Sequence, residues 1–263
     1  MVPRTIRKRP HPFNPTHAVN PIIVIPARMA STRLPGKPLA DINGRPMILH
    51  VLDRARAAAI GPVAVACAEP EIAEAVRAEG AIAVLTDPDL PSGSDRVQAA
   101  LAVLDPQGRH DVVVNLQGDL PTMPAEMLRS VLLPLADPAV DIATLVARIE
   151  TAEEAAAPSV VKAACAFDRG RAVAPALYFS RAQIPYGEGP LWHHIGIYAY
   201  RRAALARFVA LPEAPLERRE KLEQLRALEA GMRIACARVD HAPFGVDTPA
   251  DLDRARKLLE TAP

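Results

Sequence analysis

From residue 21 to residue 116 the chain repeats one pattern, a short continuous apolar run rich in β-branched residues followed by a longer stretch with helical spacing. PIIVI (21–25) precedes PMILHVLDRARAAAI (46–60), PVAVACA (62–68) precedes EIAEAVRAEG (71–80), and AIAVLT (81–86) precedes SDRVQAALAVL (94–104) and DVVVNL (111–116). Runs that are apolar at every position belong to strands covered on both faces. The expected fold class is therefore α/β, a mostly parallel, Rossmann-like sheet with helices on both faces. Sheets of this kind bind ligands beyond the carboxyl ends of their strands. After residue 140 the strand candidates DIATLVARI (141–149), VVKAACAF (160–167) and ALYFS (176–180) follow with fewer helices between them, which suggests a small added antiparallel portion. A helix over roughly 216–230, with Leu222, Leu225 and Leu228 on one face, and a last helix from Pro249 complete the order.

Composition narrows the function classes. Among the 263 residues half are hydrophobic and the net charge is +1, so no basic excess marks a nucleic-acid binder, and with 4% aromatic residues there are few bases for stacking. Residues 1–20 carry Arg4, Arg7, Lys8 and Arg9 with four prolines, and read as a flexible basic tail. Residues 21–260 read as a single domain without a linker or internal repeat. Cys67, Cys165 and Cys236 are odd in number and each lies in an apolar run, which fits buried thiols in a reducing compartment. No run approaches the roughly 18–20 apolar residues that span a bilayer, and no signal-peptide core is visible, so the expected location is the cytoplasm, without membrane insertion.

The segment after the first strand, IPARMASTRLPGKPLADINGRPM (25–47), concentrates Arg28, Arg33 and Lys37 around Gly36. Three cations and a glycine in one loop suit a triphosphate, because backbone N–H groups can approach phosphate oxygens where no Cβ intervenes. Lys37 is followed by Pro38 and no GxGxxG is present, so neither a P-loop nor a dinucleotide fingerprint applies. Two acidic residues stand at strand ends: Asp119 in QGDLP and Asp247 in GVDTP. Either can hold a cation, and Asp247 fits equally well as a helix cap.

This loop, with SGSDR (92–96), NLQGDLP (115–121), YFSRAQIPY (178–186), HHIGIYAY (193–200) with LEQLRALE (222–229), and GVDTPADL (245–252), resembles in order and spacing the 3-deoxy-manno-octulosonate cytidylyltransferases and related sugar-acid cytidylyltransferases. The resemblance implies a nucleotidyltransferase core, and a dimerisation insert within about 160–200 that makes a homodimer. It also implies Mg2+, CTP and an acidic eight-carbon sugar as ligands, with CMP transfer serving lipopolysaccharide biosynthesis. A nine-carbon N-acylneuraminate as acceptor and a catalytically silent nucleotide-binding protein are the competing readings.

Residue by residue, the resemblance implies that Pro26, Ala27, Arg28, Arg33, Lys37, Ser94, Arg96 and Gln117 surround the nucleotide, and that Asp119 and Asp247 hold the metal. Arg28, Lys37, Asp119 and Asp247 would carry catalysis. Arg181 is the expected partner of the sugar carboxylate, since a guanidinium binds carboxylates in a fork. His194, Tyr198, Glu223 and Gln224 would meet the sugar, Gln224 from the border of a buried stripe and Glu223 from a more solvated flank. Ser94 is also the expected N-cap of its helix. Leu120 and Glu69 depart from the usual residues of the family, and the expected consequences are altered surroundings for the metal and a changed nucleotide contact.

Overall fold

The computed structural model describes residues 19–168 and 170–260, so nearly all of the basic segment 1–20 lies outside the described residues. The apolar runs form β1 (Pro21–Ala27), β4 (Val63–Cys67), β5 (Ile82–Leu85) and β6 (Val112–Asn115), with a small hairpin of β2 (Asp41–Ile42) and β3 (Arg45–Pro46) after the first loop. Between them run α1 (Met47–Ala57), α2 (Pro70–Ala78) and α3 (Gly93–Leu104). The reason for the continuous hydrophobicity of β1 is visible in its packing. Ile23 and Ile25 join the cluster under α1 and α2, while Ile22 and Val24 join the one under α3 on the opposite face. Each such side chain contributes about 1.5–3 kcal/mol when fully buried, so a polar residue at any of these positions would be costly.

The second half adds α4 (Glu126–Ser130), β7 (Ile142–Arg148), α5 (Ala152–Ala156), β8 (Lys162–Ala164), β9 (Val173–Pro175), β10 (Tyr178–Ser180) and β11 (Trp192–Arg201). It ends with α6 (Arg202–Ala210), α7 (Pro215–Glu220), α8 (Gln224–Glu229), β12 (Ile234–Val239) and α9 (Pro249–Glu260). The main path of the sheet is β5-β4-β1-β6-β11-β7-β12-β9. β11 pairs antiparallel with β6 and β7, and β9 antiparallel with β12; the other pairings along the path are parallel. Of the span expected to form an antiparallel insert, β11 is thus a central strand of the main sheet, and β8 with β10 branches from it.

Three local expectations are corrected. The run 160–167 contributes a strand only at Lys162–Ala164. Lys162 is fully buried there, its ammonium donating to the carbonyls of Ala157 (2.7 Å) and Arg181 (3.1 Å). The helix over 216–230 is two helices, broken where Lys221 turns left-handed (φ +57°). The carbonyls exposed by the break are taken by Arg181, at 2.8 Å from Glu220 and 3.3 Å from Lys221. Across it Arg226 grips the Glu217 carboxylate with two hydrogen bonds of 2.6 and 2.8 Å. Finally, the N-cap of α3 is Ser92, whose Oγ accepts the Asp95 N–H, and not Ser94. All three cysteines are buried free thiols, as their apolar settings suggested.

Candidate active site

The strand order β5-β4-β1-β6 places β4 on one side of β1 and β6 on the other, so the chain reverses direction between β1 and β6. At that point the helices leave the sheet on opposite faces and open a crevice beyond the strand ends. Residues 28–36 leave β1 into this crevice and residues 116–121 leave β6 into it. The two exits touch because residue 118 is glycine, where a Cβ would stand 3.1 Å from the Pro26 carbonyl oxygen.

A third segment joins them from the far end of the chain. The Val246 N–H donates to the Asp119 carbonyl at 2.9 Å, which sets Asp247 beside Asp119. Asp247 is not the cap of α9. That role belongs to Thr248 and Asp251, each accepting the other's backbone N–H (3.2 and 2.9 Å) as a reciprocal box. The Asp247 carboxylate is left for the crevice.

Lys37 stands just after Gly36, whose left-handed φ of +70° starts a single 3-10 turn over Lys37–Leu39. Its Nζ lies 2.9 Å from Asp119 Oδ2 and 3.1 Å from Asp247 Oδ1, and Arg33 Nη2 reaches Asp247 Oδ2 at 3.0 Å. Burial pulls the Lys37 pKa down, but the two carboxylates outweigh it and hold the pKa above its ordinary value, so the ammonium persists through the neutral range. One oxygen from each aspartate therefore faces a single cationic point. Two carboxylates aimed at one point, with solvent access for further ligands, are a donor set that fits magnesium.

Arg28 lies exposed at the mouth of the crevice, beside Pro26 and Ala27 at the end of β1. The Met29 N–H next to it is held by Glu69 Oε2 at 2.9 Å, so Glu69 braces the start of the loop that follows β1. Arg96 is buried, its guanidinium bonded to Thr86 Oγ1 (2.6 Å) and to the carbonyls of Asp87 and Pro88, and burial lowers its pKa. It shapes the 86–88 turn. Gln117 Nε2 bonds Asn115 Oδ1 at 3.4 Å. Leu120 is a buried residue packed in the same cluster as Met123 and Ile48.

On β11, His194 and Tyr198 come together, ring centroids 5.5 Å apart, with Phe179 against the other side of His194 at 4.8 Å. His194 Nε2 lies 3.1 Å from Thr144 Oγ1, and burial pushes its pKa down to about 3, so the ring is neutral. Gln224 is buried and its Nε2 has no protein partner; Glu223 beside it is half-buried, with Oε1 likewise unpartnered. The expectation of a solvated Glu223 is thus overturned. Its Oε2 accepts from the Ser94 hydroxyl at 3.0 Å, and burial raises its pKa. The Arg181 guanidinium is bonded to the carbonyls of Pro158, Glu220 and Lys221. The sequence reading missed Thr144 and the Thr248–Asp251 box. It also misplaced the α3 cap, although Ser92 followed by Asp95 carried that signal.

Comparison with known proteins gives a consistent picture. A family model described as cytidylyltransferase matches residues 22–234. A 3-deoxy-manno-octulosonate cytidylyltransferase from Rhodospirillum centenum is 66% identical over 241 residues, covering 92% of this chain and 94% of the relative. One from Paramagnetospirillum magneticum is 62% identical over 242 residues, covering 92% and 98%. A solved structure of CMP:2-keto-3-deoxy-manno-octonic acid synthetase complexed with CTP superposes with a TM-score of 0.82 at 43% identity, covering 92% of this chain and 98% of that one.

Proposed function

This chain belongs to the 3-deoxy-manno-octulosonate cytidylyltransferase family, and from that premise we propose that the crevice of Lys37, Asp119 and Asp247 is where CMP passes from CTP to the anomeric hydroxyl of the sugar acid. The enzyme is a nucleotidyltransferase that makes CMP-3-deoxy-manno-octulosonate and pyrophosphate, a step we assign to lipopolysaccharide biosynthesis. The observation that carries the reading is the convergence of Lys37, Arg33 and both carboxylates at the switch point of the sheet.

Magnesium held by Asp119 and Asp247 would neutralise charge on the α-phosphate and the departing pyrophosphate. The protein's own groups position the reactants. Lys37, on giving up the carboxylates, turns its ammonium to the triphosphate, joined by Arg33 from the same loop and Arg28 at the mouth. Pro26, Ala27 and the loop 92–96 with Gln117 form the wall for the nucleoside. The anomeric hydroxyl attacks the α-phosphorus in line, its proton going to Asp119 or Asp247, with no covalent enzyme intermediate. Neutral His194, Tyr198, Glu223 and Gln224 would meet the sugar hydroxyls. Arg181 would have to release the Pro158 and Lys221 carbonyls to reach the sugar carboxylate.

Pyrophosphate release tests the assignment. It should require CTP and 3-deoxy-manno-octulosonate, and should fall at least a hundredfold with UTP or N-acetylneuraminate; release with neuraminate alone would overturn the choice of sugar, and release with neither would favour a silent nucleotide-binding protein.

A homodimer in the cytoplasm completes the proposal. Leu177 and Tyr186 are large and exposed around the β8–β10 branch, an arrangement expected of surface that a second copy covers. Among the described residues no helix is long and apolar enough to cross a membrane. Cell fractionation followed by sedimentation checks both points, with the chain expected in the soluble pool at twice 28.2 kDa; recovery from membranes or as a monomer would count against them.

A further inference from the structure

Ser94 sits inside the first turn of α3 but does not cap it, because Ser92 does, with its hydroxyl 2.6 Å from Asp95 Oδ2. A serine there has no local need for its hydroxyl. Yet Ser94 is 3% exposed and its Oγ is 3.0 Å from Glu223 Oε2, on a residue 129 positions away at the start of α8. Two helices therefore meet at this one hydroxyl: the helix behind the base-side loop and the helix whose first residues face the sugar. Burying a hydroxyl against a carboxyl is a costly way to join helices that apolar side chains would join more cheaply. The arrangement gains sense from what lies beyond it, since Glu223 Oε1 and Gln224 Nε2 are buried polar atoms with no protein partner. A carboxyl fixed at one oxygen and open at the other is set to receive a hydroxyl from a ligand.

We propose that Ser94 is a positioning residue for the sugar, holding the Glu223 carboxylate so that its second oxygen, with the Gln224 amide, is presented to a polyhydroxylated ligand. This rests on the reading of Glu223 and Gln224 as sugar contacts. It assigns the Ser94 side chain to the sugar half of the site and leaves the base-side loop to contribute through its backbone.

A pH signature follows. Facing Glu223 are Asp95, Ser92 and Ser94 of α3, Tyr198 and Tyr200 of β11, and Arg226 of its own helix. Burial raises the Glu223 pKa, and the Ser94 hydroxyl opposes that rise by donating to the ionised form. Since the ionised form is the acceptor of the sugar's hydroxyl, protonation on the acid side weakens sugar binding. Removing the Ser94 hydroxyl raises the Glu223 pKa further, so the acid limb must move to higher pH.

The experiment compares S94A, S94T and E223Q with the unaltered enzyme, measuring KM for each substrate and the pH profile of kcat/KM for the sugar. S94A should raise KM for 3-deoxy-manno-octulosonate about tenfold, leave KM for CTP nearly unchanged, and shift the acid limb to higher pH; S94T, which keeps the hydroxyl, should restore both. Equal changes in both KM values, an unmoved acid limb, or failure of S94T to restore would overturn the role of Ser94. E223Q separates the two levels of the argument. If it raises the sugar KM while S94A does not, the inference about Ser94 alone fails; if it leaves the sugar KM unchanged, the sugar-site reading fails and the inference with it.

Discussion

Asp119→Asn is expected to lower kcat by about a thousandfold, with KM for CTP moving far less, and to raise the magnesium concentration needed for half-maximal rate. The substitution keeps the shape of the side chain and removes one of the two charges that converge on the cation. It should not disturb the fold. The contact that brings Asp247 into place is made by the Asp119 backbone carbonyl, which accepts the Val246 N–H whatever the side chain is. The Asp119 carboxylate is 29% exposed and its pair with Lys37 is open to water, so the expected change in stability is within about 1 kcal/mol. A thermal melt beside steady-state kinetics separates the two effects. Loss of rate with an unchanged melting temperature supports a metal-holding role; unchanged rate at low magnesium would remove Asp119 from the chemistry.

The sheet and its crevice were legible in the sequence because they follow from local rules. Continuous apolar runs such as PIIVI specify strands covered on both faces, and the cations of 28–37 after the first strand fall at the switch point that this topology creates. What local rules missed was set by distant partners. The break at Lys221 needs a left-handed residue that nothing in ERREKLEQ announces, and it is held by Arg181, forty positions upstream. For the same reason the burial of Glu223 was hidden, since the helical wheel of 222–229 cannot know that Ser94 lies opposite. Arg96, expected beside the nucleotide, braces the carbonyls of Asp87 and Pro88, because a buried guanidinium can satisfy several carbonyls that a tight turn leaves unpaired. Leu120 looked like a lost carboxylate, while its surroundings are those of a core residue. The placement of β11 between β6 and β7 is likewise a matter of long-range pairing that a strand pattern does not encode.

Lys37→Met should have two effects of opposite sign, and the pair distinguishes its role from that of a structural cation. Catalysis should fall about a hundredfold to a thousandfold, because the ammonium that would follow the triphosphate is gone while the neighbouring groups remain. Magnesium binding without nucleotide should strengthen. In the structure the Lys37 ammonium occupies the point on which Asp119 and Asp247 converge, at 2.9 and 3.1 Å, so any cation arriving there competes with it. With methionine in its place the carboxylates keep only Arg33 as a counter-charge, on Asp247, and their mutual repulsion is relieved by metal. The measurable consequence is a larger rise in melting temperature on adding magnesium than in the unaltered enzyme, together with a lower melting temperature in chelator. Lys37→Arg gives the complementary arm. Its planar fork can pair with both carboxylates more rigidly than an ammonium, so it should preserve stability in chelator yet fail to restore rate. Full activity in Lys37→Arg, or an unchanged magnesium response in Lys37→Met, would mean that Lys37 serves only to neutralise the two aspartates and does not pass from them to the triphosphate.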